Sequence, residues 1–178
     1  MKRQPSIDDE TRTFLEAQPI YFVGTACAEA RISVSPKGIE SFRVLAPNRV
    51  AYADLTGSTN EAAAQLQRDG RITLLFCSFT RTAGIVRLYG RGRVVLPGDA
   101  GWDELLARVP SATGLRQFID IAVDEAIHNC GYGVPEMDFV RTRPSLVAWA
   151  EGKGEAGLEA YRAENNRVSI DGLPIDRG

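Results

Sequence analysis

Histidine and cysteine are scarce in this chain of 178 residues, and their scarcity argues against several classes of site. His128 is the only histidine, so a Ser-His-Asp triad would have to use it. The cysteines Cys27, Cys77 and Cys130 lie far apart and form no CxxC pair, which argues against a structural zinc site. Their odd number and mostly apolar surroundings favour free, buried thiols in a reducing compartment over disulfides.

Long hydrophobic runs and an excess of one charge are also missing. No run approaches the about 20 apolar residues that span a bilayer, and the N-terminus has no apolar signal stretch. We therefore expect a cytoplasmic protein that binds no membrane. The formal net charge of −2 gives no global attraction to nucleic acid, so any basic site must be local.

Alternation of apolar and polar residues predicts about seven short strands. They lie at 20–26, 32–35, 41–46, 49–54, 71–79, 85–96 and 118–129. Pro47-Asn48 reads as a hairpin and Pro36-Lys37-Gly38 as a turn, while Gly90 and Gly92 indicate a bend or bulge. Short loops favour antiparallel pairing, and closure removes exposed strand edges. We predict a mainly β (α+β) barrel with peripheral helices.

Four helices are predicted around these strands, at 6–17, 59–68, within 97–110 and after Pro144. Ser6 and Asp9 are expected to cap the first helix. Glycines disfavour a single unbroken last helix. In the last strand, alternation predicts two faces, one with Ile119, Ile121, Val123 and Ile127, the other with Asp120, Ala122, Asp124, Ala126 and His128.

Residues 50–66 read as a strand, a polar turn and the start of a helix, and we expect this junction to be the functional centre. Unpaired N–H groups and the helix dipole attract phosphate to helix N-termini, and the small side chains of 56–59 would allow a close approach. A capping box between Ser58 and Glu61 explains the same pattern without a ligand. Glu61 would also repel a phosphate near the helix axis. Both interpretations stand at this point.

Four short segments resemble the pyridoxamine 5′-phosphate oxidase-like, FMN-binding split-barrel family. They are Ser33-Val34-Ser35-Pro36-Lys37-Gly38, Phe42-Arg43-Val44-Leu45, Tyr52-Ala53-Asp54-Leu55-Thr56-Gly57-Ser58 and Leu88-Tyr89-Gly90-Arg91-Gly92-Arg93-Val94. The segments 130–135 and 169–174 resemble a C-terminal extension of one bacterial subgroup. The resemblance implies a Greek-key split barrel that dimerises and holds FMN at the subunit interface. It also implies an FMN-binding domain at 1–135 and a helical extension, 136–178, packed on the barrel.

The resemblance also assigns cofactor-binding roles by position. Arg43 lies where the family has an arginine for the FMN phosphate. The segment that edges the isoalloxazine ring and leads into the turn comprises Tyr52, Ala53, Asp54, Leu55 and Thr56.

The phosphate clamp of the family, serine-arginine-lysine, is replaced here by Ser58, Thr59 and Asn60. Two cations are thus lost, and charge-assisted hydrogen bonds are roughly twice as strong as neutral ones. Either FMN binding is weak, or Lys37 and Arg87 supply the charge, or the site takes another ligand such as a deazaflavin. Arg87 shares a strand face with Arg91 and Arg93, which an ordinary solvated face explains equally well.

Two functions follow from this resemblance. The first is an FMN-dependent oxidoreductase acting on an unidentified small molecule, in which the flavin carries the redox chemistry and no catalytic side chain is assigned. The second is a non-catalytic module or sensor that binds a flavin, a deazaflavin or a haem-related ligand. Oxidation of pyridoxamine phosphate itself is disfavoured, because the C-terminal region around Ala160-Tyr161-Arg162 contains no histidine.

Overall fold

The computed structural model describes residues 1–38 and 40–176, which contain eight strands and four helices. The strands are β1 (Lys2–Gln4), β2 (Tyr21–Thr25), β3 (Ser33–Lys37), β4 (Phe42–Ala46), β5 (Arg49–Leu55), β6 (Arg71–Cys77), β7 (Ile85–Val95) and β8 (Leu115–Asn129). The helices are α1 (Asp9–Glu16), α2 (Glu61–Leu66), α3 (Trp102–Arg108) and α4 (Ser145–Asn165). No helix in these ranges is long and apolar enough to cross a membrane.

All strand pairs are antiparallel, in the order β3-β2-β6-β7-β8-β5-β4. The chain places β4 and β5 at one end of this order and then returns, so that β6 pairs with β2 at the other end. Strand β8 is long enough to pair along one edge with both β5 and β1, and along the other edge with β7. The predicted antiparallel split barrel, mainly β with peripheral helices, is confirmed.

A β-bulge in β8 changes which side chains enter the barrel. Tyr89 lies opposite Glu125 and Gly90 opposite Val123, so Asp124 is an extra residue in β8. Ala126, rather than Ile127, is therefore buried, and the predicted alternation is wrong after Val123. Gly90 is required here, because a Cβ atom on it would lie 2.2 Å from the carbonyl oxygen of Ala122. The irregularity predicted at Gly90 is thus present, but its extra residue lies in β8 and not in the strand of Gly90 and Gly92, where the bend or bulge was predicted.

The hydrophobic core lies on both faces of the sheet. Inside the barrel, the rings of Tyr21 and Phe76 stack with centroids 5.1 Å apart, and Phe42 packs against both. On the outer face, α3 covers β5, β7 and β8, and Trp102 packs on Phe118 at 5.0 Å. Burial of large side chains of this kind supplies most of the driving force for folding.

Several local predictions need correction. Pro36 and Lys37 belong to β3 rather than to a turn, because β3 continues to pair with β2 as far as Tyr21. The cap of α1 is Asp8, whose carboxylate accepts from Thr11 N, and not Ser6 or Asp9. The hairpin between β4 and β5 forms as predicted.

The remaining differences concern helix length and one cysteine. Helix α2 has only six residues, and α4 bends at Gly154, where φ is 62°. Cys27 and Cys77 are buried as predicted, whereas Cys130 is exposed because β8 ends just before it. The division of the chain at residue 135 stays a prediction.

Candidate functional site

The carboxylate of Asp54 is the centre of the polar groups where β5 ends. Its side chain is buried, and one oxygen accepts a hydrogen bond from Lys37 Nζ at 2.5 Å. The other oxygen accepts from Arg116 Nη2 and Gln117 Nε2, both at 2.8 Å. A single buried negative charge is therefore shared by two cations and one amide.

The protonation state of Asp54 follows from this environment. Burial raises the pKa of the carboxyl, but the charges of Lys37 and Arg116, and the hydrogen bonds that both donate, outweigh burial and hold the pKa well below its usual range. The carboxylate is therefore ionised at neutral pH. Lys37 forms an ion pair with this carboxylate, so its charge is not unpaired at the predicted cofactor site.

The turn between β5 and α2 is closed from the inside by groups from β8 and α4. Arg116 Nη1 donates to the carbonyl of Thr59 at 3.1 Å and to Asn166 Oδ1 at 2.8 Å. Asn166 Nδ2 in turn donates to the carbonyl of Gly57 at 3.0 Å. Arg162 Nε donates to Thr56 Oγ1 at 2.8 Å.

The outer side of the same turn stays open. The side chains of Ser58 and Thr59 are exposed, whereas Asn60 is buried and accepts from Gln117 Nε2 at 2.8 Å. The predicted capping box is wrong: Asn60 is the N-cap of α2 without a side-chain cap, and Glu61 Oε1 accepts from Ile170 N at 3.0 Å instead. The carboxylate of Glu61 therefore accepts a hydrogen bond from the C-terminal segment instead of forming the predicted capping box with Ser58.

Some buried polar atoms at this end of the barrel have no hydrogen-bond partner among the described residues. They are Tyr52 Oη, Asn60 Nδ2, Gln117 Oε1 and Arg116 Nε. Such groups cost about 1–3 kcal/mol each when left unpaired. Burial, together with the charge of Asp54, raises the pKa of Tyr52, so its phenol is neutral at ordinary pH.

Arg43 lies on the opposite face of the sheet from Asp54. Arg43 of β4 pairs with Ala51 of β5, and Ala51 is three positions before Asp54 on that strand. Side chains three positions apart on a strand point to different faces of the sheet. Arg43 Nη1 donates to the carbonyl of Phe42 at 2.9 Å, and no carboxylate in the described part of the chain forms an ion pair with it. Its positive charge is therefore not neutralised by a contact.

A cleft of about 1010 Å³ reaches Arg43. It lies between the end of α1, the start of β4 and two loops at 78–82 and 136–142. The loop side carries hydroxyls, a second cation, Arg81, and the carboxylates of Glu136 and Asp138, and its apolar wall includes Phe79. None of residues 56–60 lines this cleft. The predicted phosphate turn and the predicted phosphate arginine are thus on different surfaces of one chain.

Arg87 is the predicted site residue farthest from the turn. It lies opposite Ile127, whereas Asp54 lies opposite Gln117, ten residues earlier on β8. At the rise of a strand this is a path of about 33 Å. Arg87 Nη1 donates to Asn129 Oδ1 at 2.8 Å. The described chain therefore does not bring Arg87 to the turn.

The residues that sequence reasoning missed are Arg116, Gln117, Arg162 and Asn166. A polar Arg-Gln pair just before an apolar strand is a weak signal for the first two. For Arg162 and Asn166 no local signal exists, because their role depends on α4 returning to the barrel. Within the described residues, no group of three or more His, Cys, Asp and Glu side chains forms a metal site.

The chain has relatives among known proteins. A sequence profile described as "Pyridoxamine 5′-phosphate oxidase" matches residues 7–130. The pyridoxamine 5′-phosphate oxidase family protein ustO of Aspergillus flavus is 37% identical over an aligned region of 189 residues, gaps included. The aligned region covers 95% of this chain and 75% of that protein.

Solved structures share the fold at low identity. A Lactobacillus delbrueckii protein provisionally named pyridoxamine 5′-phosphate oxidase has a TM-score of 0.57 at 20% identity, covering 71% of this chain and 99% of that one. An FMN-binding protein of Syntrophomonas wolfei has a TM-score of 0.50 at 12% identity, covering 73% and 85%. The extent of the profile match and the identity to the Aspergillus protein show that this chain belongs to the pyridoxamine 5′-phosphate oxidase family.

Proposed function

We propose that this protein binds FMN and uses it as a redox cofactor on a small molecule. The observation that carries the proposal is the environment of Arg43: a guanidinium without a carboxylate partner among the described residues, at the edge of a large cleft, in a family whose structural relatives include an FMN-binding protein. A phosphate monoester is the type of ligand that such a group binds through charge-assisted hydrogen bonds.

The free edge of β5 supports the predicted place of the isoalloxazine ring. Strand β4 pairs with β5 only as far as Tyr52, and Ala53 N donates to the carbonyl of Ser41 at 2.8 Å. Beyond this point, Asp54 and Leu55 have no strand neighbour on that edge among the described residues. Backbone groups there are free to hydrogen-bond the polar rim of a flavin.

The turn residues have separate tasks in this proposal. The exposed hydroxyls of Ser58 and Thr59 donate to the phosphate, in place of the cations that the family has there. Asp54, held by Lys37 and Arg116, fixes the end of β5 and so the geometry of the turn. Asn60 orients the start of α2 through Gln117. Bound flavin supplies reversible two-electron transfer, whereas these side chains bind and orient it.

The distance between Arg87 and the turn suggests a two-subunit site. One chain separates them by about 33 Å of strand, so a role for Arg87 requires it to come from a second copy. Because Arg43 and the turn also lie on different surfaces of one chain, we propose that the protein is a homodimer with FMN at the interface, the turn contributed by one protomer and Arg43 and Arg87 by its partner.

A second candidate function is a non-catalytic flavin-binding or sensor module. Of the cations next to the turn, Lys37 and Arg116 share the carboxylate of Asp54, and Arg116 and Arg162 contact the turn from its inner side. The turn thus offers a phosphate hydroxyls and backbone N–H groups instead of free charge. This arrangement favours weaker cofactor binding than the arginine and lysine of the family would give.

Titration of the purified protein with FMN and with riboflavin tests the proposal, because the two ligands differ only in the phosphate. We expect quenching of flavin fluorescence by the protein and tighter binding of FMN. Bleaching of the bound flavin by NADH or NADPH without oxygen supports the oxidoreductase, whereas bound flavin that neither nucleotide reduces favours the sensor. A protein that quenches neither flavin contradicts both.

A further inference from the structure

A second cavity, of about 520 Å³, lies between the C-terminal half of α4, the end of β7 and the start of β8. It is lined by three arginines, Arg116, Arg162 and Arg167, and by a single carboxylate, Glu159. The cleft at Arg43 has no lining residue in common with it. Its volume is within the range of small-molecule sites.

The charges around this cavity are unbalanced. Arg116 has a side chain only 4% exposed, and its one carboxylate partner, Asp54, is shared with Lys37. Its Nε atom is buried without a hydrogen-bond partner among the described residues. Arg162 has only Glu155 at 3.6 Å, and that side chain is 83% exposed. A pair at such a distance and exposure contributes little.

The buried guanidinium of Arg116 and the half-buried guanidinium of Arg162 also repel each other. Burial lowers the pKa of Arg162, the charges of Glu155 and Glu159 raise it, and the charge of Arg116 lowers it, so that the net shift is downward. The guanidinium nevertheless stays charged in proteins. Arg162 is held in place by its hydrogen bonds to Thr56 Oγ1 and to the carbonyl of Leu115. The repulsion therefore persists as an excess of positive potential in the cavity.

The rest of the lining is apolar and small. It consists of Leu96, Pro97, Ala156, Ala160 and Ala163. Three of these are alanines on one face of α4, which leave space beside the helix. The cavity thus has a cationic side and an apolar wall.

We propose that this cavity is a binding site for a small molecule with an oxyanion group, a phosphate monoester or a carboxylate, on a compact apolar body. The anion pairs with Arg162 and Arg167, and the apolar body lies against Pro97 and the alanines of α4. The site is separate from the proposed flavin site.

Calorimetric titration with phenyl phosphate and with benzoate, in buffer free of phosphate and carboxylate, tests this site. We expect saturable binding of at least one probe, with one site per chain, in the presence and absence of saturating FMN. Preference for phenyl phosphate identifies the phosphate class, and preference for benzoate the carboxylate class. No saturable binding of either probe overturns the proposal, as does competition with FMN, which would make this the cofactor site.

Three variants sharpen the test without disturbing the fold. Arg167→Ala removes an exposed side chain and should weaken probe binding about tenfold or more, as for a lost charge-assisted hydrogen bond. Glu159→Gln removes the opposing carboxylate and should strengthen binding. Arg68→Ala, an exposed arginine that does not line the cavity, is the matched control and should bind as the wild type does. Equal affinities of Arg167→Ala and wild type overturn the proposal.

Discussion

Lys37 and Arg43 are both predicted cofactor ligands, yet their surroundings are opposite. Lys37 lies at the inner end of the barrel, where it binds the buried carboxylate of Asp54. Arg43 lies on the other face of the sheet, where its guanidinium hydrogen-bonds, among the residues that the structure describes, to a backbone carbonyl alone. The comparison shows that one cation is committed to the fold, whereas the other is available to a ligand.

The difference has an energetic basis. A buried carboxylate is tolerated only when paired, and removal of one partner leaves an uncompensated charge. Lys37, Asp54 and Arg116 therefore form one unit that stabilises the end of β5. A cation at a cleft edge has little such coupling, so its substitution should alter binding more than folding.

The largest expected effect is on stability, from Asp54→Asn. This change keeps the shape of the side chain but leaves the cations of Lys37 and Arg116 without their counter-charge, so we expect the free energy of unfolding to fall by about 3–5 kcal/mol. Urea unfolding measures it. The control is Asp69→Asn, which breaks an exposed pair with Arg71 and should cost less than about 1 kcal/mol. Similar losses in both variants would contradict the role of the buried cluster.

The next effect is on cofactor affinity, from Arg43→Ala. Loss of a charge-assisted hydrogen bond should weaken FMN binding by about 1.5–3 kcal/mol, leave riboflavin binding unchanged and change the free energy of unfolding by less than about 0.5 kcal/mol. Fluorescence titration of both flavins measures the difference. Arg81→Ala, in the same cleft, is the matched control. If Arg81→Ala weakens FMN binding more than Arg43→Ala does, the phosphate lies elsewhere in the cleft.

A smaller effect on stability is expected from Asn166→Ala. The substitution removes an acceptor for Arg116 Nη1 and the donor to the Gly57 carbonyl, so we expect a loss of about 1–3 kcal/mol in the free energy of unfolding. Amide hydrogen exchange of 56–60 should also become faster. Asn165→Ala, at an exposed neighbouring position, should change neither measurement appreciably. Unchanged exchange in Asn166→Ala would mean that α4 does not hold the turn.

The smallest effect is the dependence of stability on acid. Because the folded-state pKa of Asp54 is depressed, its contribution is complete above the unfolded-state pKa of about 3.9 and declines as pH falls toward the folded value. Between pH 5 and pH 3, wild type should therefore lose more stability than Asp54→Asn does. Urea unfolding at each pH measures this, and equal slopes for the two proteins would show that another group titrates.

Much of the fold could be predicted because local patterns specified it. Alternation predicted the central strands, Pro47-Asn48 predicted the hairpin, and Gly90 indicated the position of the bulge but not the strand that carries it. The bulge also caused the main error, because sequence alternation alone does not show which strand receives the extra residue. The turn assigned to Pro36-Lys37 was wrong for a similar reason: pairing with β2 outweighs the local preference of proline.

The candidate site was less predictable, because its contacts join distant parts of the chain. Asp54 could be singled out by position, but its pairing with Arg116 spans 62 residues and the contact of Asn166 with Gly57 spans 109. No local pattern encodes such distances. The functional role of Arg43 and of the turn stays a prediction that the titrations will test.

The extra residue in β8 has a consequence for how this barrel can diverge. Asp124 separates a segment that pairs with β5 from a segment that pairs with β1, and the side chains of the two segments alternate out of phase. Deletion of Asp124 would remove the bulge and place Glu125 directly after Val123, so that Ala126 would still face the core in regular alternation, whereas a one-residue deletion elsewhere in β8 would turn over the side chains that follow. Loss of Asp124 should therefore be tolerated better than any other single deletion in β8, which would need a compensating insertion to keep both segments facing the core.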